Sequence, residues 1–218
     1  MVFTTQSLKN EALEVIARLI LAACLCLLWV PAASAAAPTE ITQLRTERSE
    51  DGVYLSAVVR FDVPPVVEDA LLKGIAIYFV VEAEVYRDRW YWTDLRVSSA
   101  ARTMRLAYQP LTGRWRVNIV SGLITSSSGL RATLNQNYET MLEALSAIQR
   151  VAHWKIADAS EVELGEPYML NLNFWLDLSQ LPRPFQIGVA GQRDWTISAQ
   201  VRDPLRLKPA PPTAEGGK

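Results

Sequence analysis

The chain has 218 residues and a mass of 24.3 kDa, room for one ordinary domain. Its 22 Lys and Arg against 23 Asp and Glu leave a net charge of −1 and a pI near 5.9, without the basic excess that phosphate-backbone contacts require, so nucleic acid is not an expected partner. Half the residues are apolar, enough for a core, while two Cys and one His exclude Cys/His zinc sites, iron–sulfur clusters and disulfide-dense scaffolds.

The first 35 residues read as a secretory leader. Lys9 and Arg18 precede an apolar run from Leu19 to Val30, Pro31 ends it, and small residues follow. Ala33-Ser34-Ala35 places the cut after Ala35; a cut after Ala37 is the alternative and leaves Pro38 as the first residue. The leader predicts export, to a Gram-negative periplasm, with no stable membrane span after cleavage. Two tethered alternatives exist: an uncleaved leader, or lipidation at Cys24 in Leu21-Ala22-Ala23-Cys24. Cleavage removes both cysteines, so the stability of the exported chain of about 183 residues rests on hydrophobic packing.

From Ala36 to Asp203 the sequence predicts one β-rich domain. Glu40–Arg48 and Val53–Val63 flank the turn Ser49-Glu50-Asp51-Gly52, and Val53, Leu55, Ala57, Val59, Phe61 and Val63 alternate with polar residues as in a half-buried strand. Pro64-Pro65 opens a short helix that Gly74 closes. Ile75 to Val85 returns to period 2. Strands are then expected at Trp90–Val97, Arg102–Gln109 and Arg114–Val120. Leu134, Tyr138, Met141, Leu142, Leu145 and Ile148 form one apolar stripe at helical spacing, the only long helical pattern. Strand character resumes at Tyr168–Leu176 and Trp195–Val201. Residues 204–218, rich in Pro, Ala and Gly, are expected to be a disordered tail. Seven or eight strands with one long and one short helical connection predict a mainly β fold, an antiparallel β-sandwich; one sheet backed by the long helix is the alternative.

Several segments in order resemble one family. Leu71-x-x-Gly74-Ile75, Arg87-Asp88-Arg89-Trp90-Tyr91-Trp92, Leu106-x-Tyr108-x-x-Leu111-Thr112, Leu176-Asp177-x-Ser179-x-Leu181-Pro182-x-Pro184-Phe185-Gln186 and Asp194-Trp195 are similar to successive motifs of the bacterial domain of unknown function 4390, also labelled "proline-rich signal peptide protein". The resemblance covers about residues 40–200. It implies an exported proteobacterial protein without an assigned activity or catalytic residues. Its genes often neighbour a membrane sensor kinase, so an inner-membrane sensor is a candidate partner.

No constellation in the sequence points to catalysis or to a cofactor, and the expectation is a binding protein rather than an enzyme. The single His153 is expected at the end of the long helix, without a nucleophile motif around it. Glu82 and Glu84 share a strand face about 7 Å apart, a spacing compatible with a carboxylate-based hydrolase. Cross-strand pairing with Arg96, Arg105, Arg114 and Arg116 on a solvated face explains them with no enzyme. Arginine outnumbers lysine sixteen to four beyond residue 35, and Arg105, Arg114 and Arg116 form the centre of a candidate anion-binding sheet face. Trp90 and Trp92 point to one side of their strand, either into the core or outward as a platform for a glycan or partner. Leu181, Pro182 and Pro184 are expected in an extended strand exit suited to docking.

Overall fold

The computed structural model describes residues 38–87, 94–123, 133–163, 165–189 and 192–209. Two strands form the expected hairpin: β1 (Glu40–Arg48) and β2 (Gly52–Arg60), antiparallel, with Arg48 opposite Val53. Gly52 opens β2 against β7, where a Cβ would lie 2.5 Å from the Ala157 carbonyl oxygen. Helix α1 (Pro65–Leu72) starts with proline in its first turn, where no intrahelical N–H is needed, and buries Val67, Ala70 and Leu71. Gly74 ends it at φ +82°, donating its N–H to Leu71 O at 2.8 Å.

The chain then builds a six-stranded antiparallel sheet from β3 (Ile77–Arg87), β4 (Leu95–Gln109), β5 (Arg114–Ser121), β6 (Thr133–Tyr138), β8 (Tyr168–Leu176) and β9 (Ser198–Pro204), in the order β6-β5-β4-β3-β8-β9. The smaller sheet is β1-β2-β7, where β7 is Arg150–Asp158, and β10 (Lys208–Pro209) adds two residues parallel to β1. Period-2 side chains of both sheets meet in one core: Val53, Leu55, Ala57 and Val59 from β2 face Phe79, Val81, Ala83, Leu172 and Phe174 from β3 and β8. Phe61, just beyond β2, packs its ring 5.2 Å from both Phe79 and Phe174, joining the two layers. The fold is a β-sandwich.

Two β-bulges face each other across β2. Gln43 (φ 53°) in β1 and His153 (φ 42°) in β7 each sit where the register slips beside Ser56 and Ala57. An extra residue on each neighbour bends the small sheet at one level.

Several expected elements differ. The apolar stripe from Leu134 to Ile148 is not one helix: Thr133–Tyr138 is strand β6, and helix α2 spans only Met141–Gln149. Its start is set by a capping box, in which Thr140 Oγ1 accepts from the Glu143 N–H at 3.2 Å and the Glu143 carboxylate accepts from the Thr140 N–H. His153 is in β7 and not at a helix end. Arg102–Gln109 continues unbroken from Leu95 as one strand of 15 residues. Pro182 and Pro184 do not hold an extended exit; they start helix α3 (Arg183–Val189), whose first turn tolerates proline. The described elements reach Pro209, with Leu205 N–H bonded to Tyr168 O at 2.9 Å and Thr46 Oγ1 to Arg206 O at 2.7 Å. Residues 1–37, on which the expected leader and Cys24 fall, and residues 210–218 lie outside the described residues.

Candidate functional site

Strand alternation decides what the six-stranded sheet shows on its outer side. With Phe79, Val81, Ala83 and Val85 pointing inward, β3 presents Tyr78, Val80, Glu82, Glu84 and Tyr86 outward. Register carries that parity across the sheet. Tyr78 lies opposite Arg105 of β4, which lies opposite Asn118 of β5, which lies opposite Asn135 of β6. One row on, Arg116 of β5 lies between Ala107 and Asn137, and beyond it Arg114 lies opposite Gln109. The three predicted arginines therefore share one face, in consecutive rows of β4 and β5, with neighbouring rows about 7 Å apart.

Two of the three have amide partners. Arg105 Nη1 donates to Asn118 Oδ1 at 3.4 Å and Arg116 Nε to Asn137 Oδ1 at 3.2 Å, while Asn118 Nδ2 donates to Asn135 Oδ1. Among the described residues no carboxylate pairs with Arg105, Arg114 or Arg116. The expectation that cross-strand glutamates neutralise this set holds only for Arg96, whose Nη1 lies 2.8 Å from Glu84 Oε1. An amide orients a guanidinium without cancelling its charge, so the face keeps a local positive field.

The other half of the same face is built differently. Glu84 accepts from Arg96, from Tyr86 Oη at 2.9 Å and from Asn171 Nδ2 at 3.5 Å. The Arg96 guanidinium, followed by the Tyr86 and Asn171 bonds, holds its carboxyl below the usual range against partial burial. Glu82, two residues earlier, is pushed up, first by burial and then by the charge of Glu84. Next to them Gln200 Nε2 donates to Asn171 Oδ1 at 3.0 Å, and Arg202 Nη2 pairs with Asp94 Oδ2 at 2.5 Å. Tyr86, Asp94, Asn171, Gln200 and Arg202 line a depression of about 250 Å³.

Leu181, Pro182, Pro184 and His153 sit apart from this face. Trp90 and Trp92 lie outside the described residues. Leu181 is buried beneath the α3 turn, while Pro182 and Pro184 are exposed there. Gln186 Nε2 closes that turn on the carbonyls of Ser179 and Leu181, both at 2.7 Å. His153 stacks on Tyr54 at 4.0 Å and 8°, and its backbone N–H donates to Ser56 Oγ. Among the described residues no serine hydroxyl bonds to its ring. The asparagines of β5, β6 and β8 were not singled out from the sequence, although Asn171 and Asn173 occupy the polar positions of an alternating strand.

Residues 36–203 match the family described as "Domain of unknown function (DUF4390)". The chain belongs to that family. No curated protein and no solved structure matches it. The family match spans every strand from β1 to β9, and thus the whole outer face.

Proposed function

We propose that this member of the family is an exported, non-catalytic binding module of the bacterial envelope that takes an anionic ligand on Arg105, Arg114 and Arg116. One observation carries the reading: three arginines occupy consecutive rows of one sheet face, Arg105 and Arg116 held by amides, with no acidic partner for any of the three among the described residues. A planar guanidinium fixed by its neighbour loses little further freedom when it binds phosphate or carboxylate in bidentate fashion. Glu84 does not have the free carboxylate of a hydrolase nucleophile, since three side chains already occupy it. The leader-like residues 1–35 support export, and the expected gene neighbourhood makes a membrane sensor a candidate recipient of the bound signal.

The test is direct binding by the full chain. Pyrophosphate in solution and phosphatidylglycerol vesicles present the same phosphate chemistry from two sources. Binding to at least one is expected, weakening as ionic strength rises through about 0.1 M, where the Debye length is near 10 Å. Failure to bind either at low salt sinks the anion reading. Export is tested separately by the mass of the periplasmic protein, expected to begin at Ala36.

A further inference from the structure

The β3-β8-β9 part of the outer face is neither apolar nor a charged patch, and the anion-binding reading leaves it unused. Its rows change in character along the strands. Glu82, Asn173 and Gln200 form the middle row, and Val80, Trp175 and Ser198 form the next. Across a row, side chains are about 5 Å apart; along a strand they are about 7 Å apart. A second depression, about 440 Å³, runs along Asn173, Trp175, Ser198 and Gln200 and shares Gln200 with the one above Asn171.

Charge is balanced here in a way it is not around Arg105. Arg96 is taken by Glu84 and Arg202 by Asp94, so no unpaired cation remains here among the described residues to attract an anion, and the unpaired charge is the Glu82 carboxylate. The hydrogen-bonding capacity is not used up. Gln200 donates one N–H to Asn171, which leaves its carbonyl and second N–H, and neither Asn173 nor Glu82 has a side-chain partner among the described residues. An amide beside a carboxylate offers donor and acceptor about 5 Å apart, which suits vicinal hydroxyls, each of them both donor and acceptor. Half-buried Trp175, one row on, supplies the flat apolar surface on which the C–H face of a pyranose ring packs.

We propose that Glu82, Asn173, Gln200 and Trp175 form a binding site for a neutral saccharide, with the amides and carboxylate engaging its hydroxyls and the indole its ring face. The depression along Asn173 and Trp175, a shallow one of about 440 Å³, falls in the range of about 300–1,000 Å³ used by small-ligand sites. The site is independent of the arginine rows: it is on the opposite half of the sheet and needs no charged ligand.

Isothermal titration of the full chain with maltotetraose, cellotetraose and chitotetraose tests it. Binding of at least one is expected, with little dependence on salt. Asn173→Ala and Gln200→Ala, both surface changes, are each expected to weaken it about tenfold, the loss of one or two hydrogen bonds. Trp175→Phe is expected to weaken it less than Trp175→Ala, and unchanged melting temperatures establish that each variant folds. Arg116→Ala is expected to bind saccharide as the wild type does. The proposal is overturned if none of the three sugars binds at about 10 mM, or if Asn173→Ala and Gln200→Ala bind like the wild type.

Discussion

Phe174→Ala tests whether the two sheets share one core. Phe174 is 1% exposed, its ring lies 5.2 Å from Phe61 and 5.8 Å from Phe79, and Phe61 comes from the chain leaving the small sheet. Truncating a fully buried phenylalanine costs about 3–5 kcal/mol, the transfer free energy of the lost atoms plus that of the cavity left behind. At a urea dependence of about 2 kcal/mol per M this lowers the unfolding midpoint by about 2 M with an unchanged slope. The diagnostic quantity is the coupling with Phe61→Ala. Both variants remove the same ring–ring contact, so the double variant is expected to be less destabilised than the sum, by about 0.5–1.5 kcal/mol. Urea denaturation followed by circular dichroism measures all four proteins. Additivity to within about 0.3 kcal/mol would show that Phe61 and Phe174 do not pack across the layers and would refute the reasoning.

Two further predictions concern the acidic pair and the hairpin turn. Glu84 is held low by Arg96, so its contribution is present above the ordinary 4.5 and is lost as pH falls below that value. Glu82 is pushed up, so it disfavours the fold once pH rises past 4.5. Near pH 7 Glu84→Gln is therefore expected to lower the melting temperature and Glu82→Gln to raise it, with both differences shrinking toward pH 3; the same sign for both near pH 7 contradicts this electrostatic account. Gly52→Ala places a methyl against the Ala157 carbonyl oxygen and is expected to cost about 1–3 kcal/mol, read as a lower urea midpoint; a neutral result would mean the β2–β7 spacing is wider than described.

Much of the fold was legible because uninterrupted alternation is hard to misread. β2 and β8 each keep strict period 2 over eight or more residues, β3 departs from it at Val80, and α1 carries proline at its start and glycine at its end. The failures have physical causes. Leu134 and Tyr138 are four apart and extend the α2 stripe backwards, yet they also fit one strand side, and the capping signal Thr140-x-x-Glu143 marked the true helix start. β7 was hidden by its bulge: Ala152 and His153 together face Ser56, so Val151 and Trp154 fall three apart and break the alternation. In α3 a Pro-x-Pro pair reads as an extended strand exit, although the first turn of a helix accepts proline.

The candidate site was half legible for the same reasons. That Arg105, Arg114 and Arg116 share a face follows from strand parity. What holds them does not, because one partner, Asn137, comes from the unrecognised strand β6, and the glutamate side of the expected pairing reaches only Arg96. The saccharide-like half depends on β8 lying between β3 and β9, an order that connects strands nearly a hundred residues apart and leaves no local trace.

The central claim is that the amide-held arginines bind an anion while the carboxylate-paired ones do not. Pyrophosphate titration of the full chain at low salt compares them directly, through Arg105→Gln with Arg116→Gln on one side and Arg96→Gln with Arg202→Gln on the other. The account predicts a loss of about tenfold or more for the first pair, each arginine giving up a charge-assisted hydrogen bond, and a near-unchanged affinity for the second. Equal losses from both pairs, or none from the first, would contradict it.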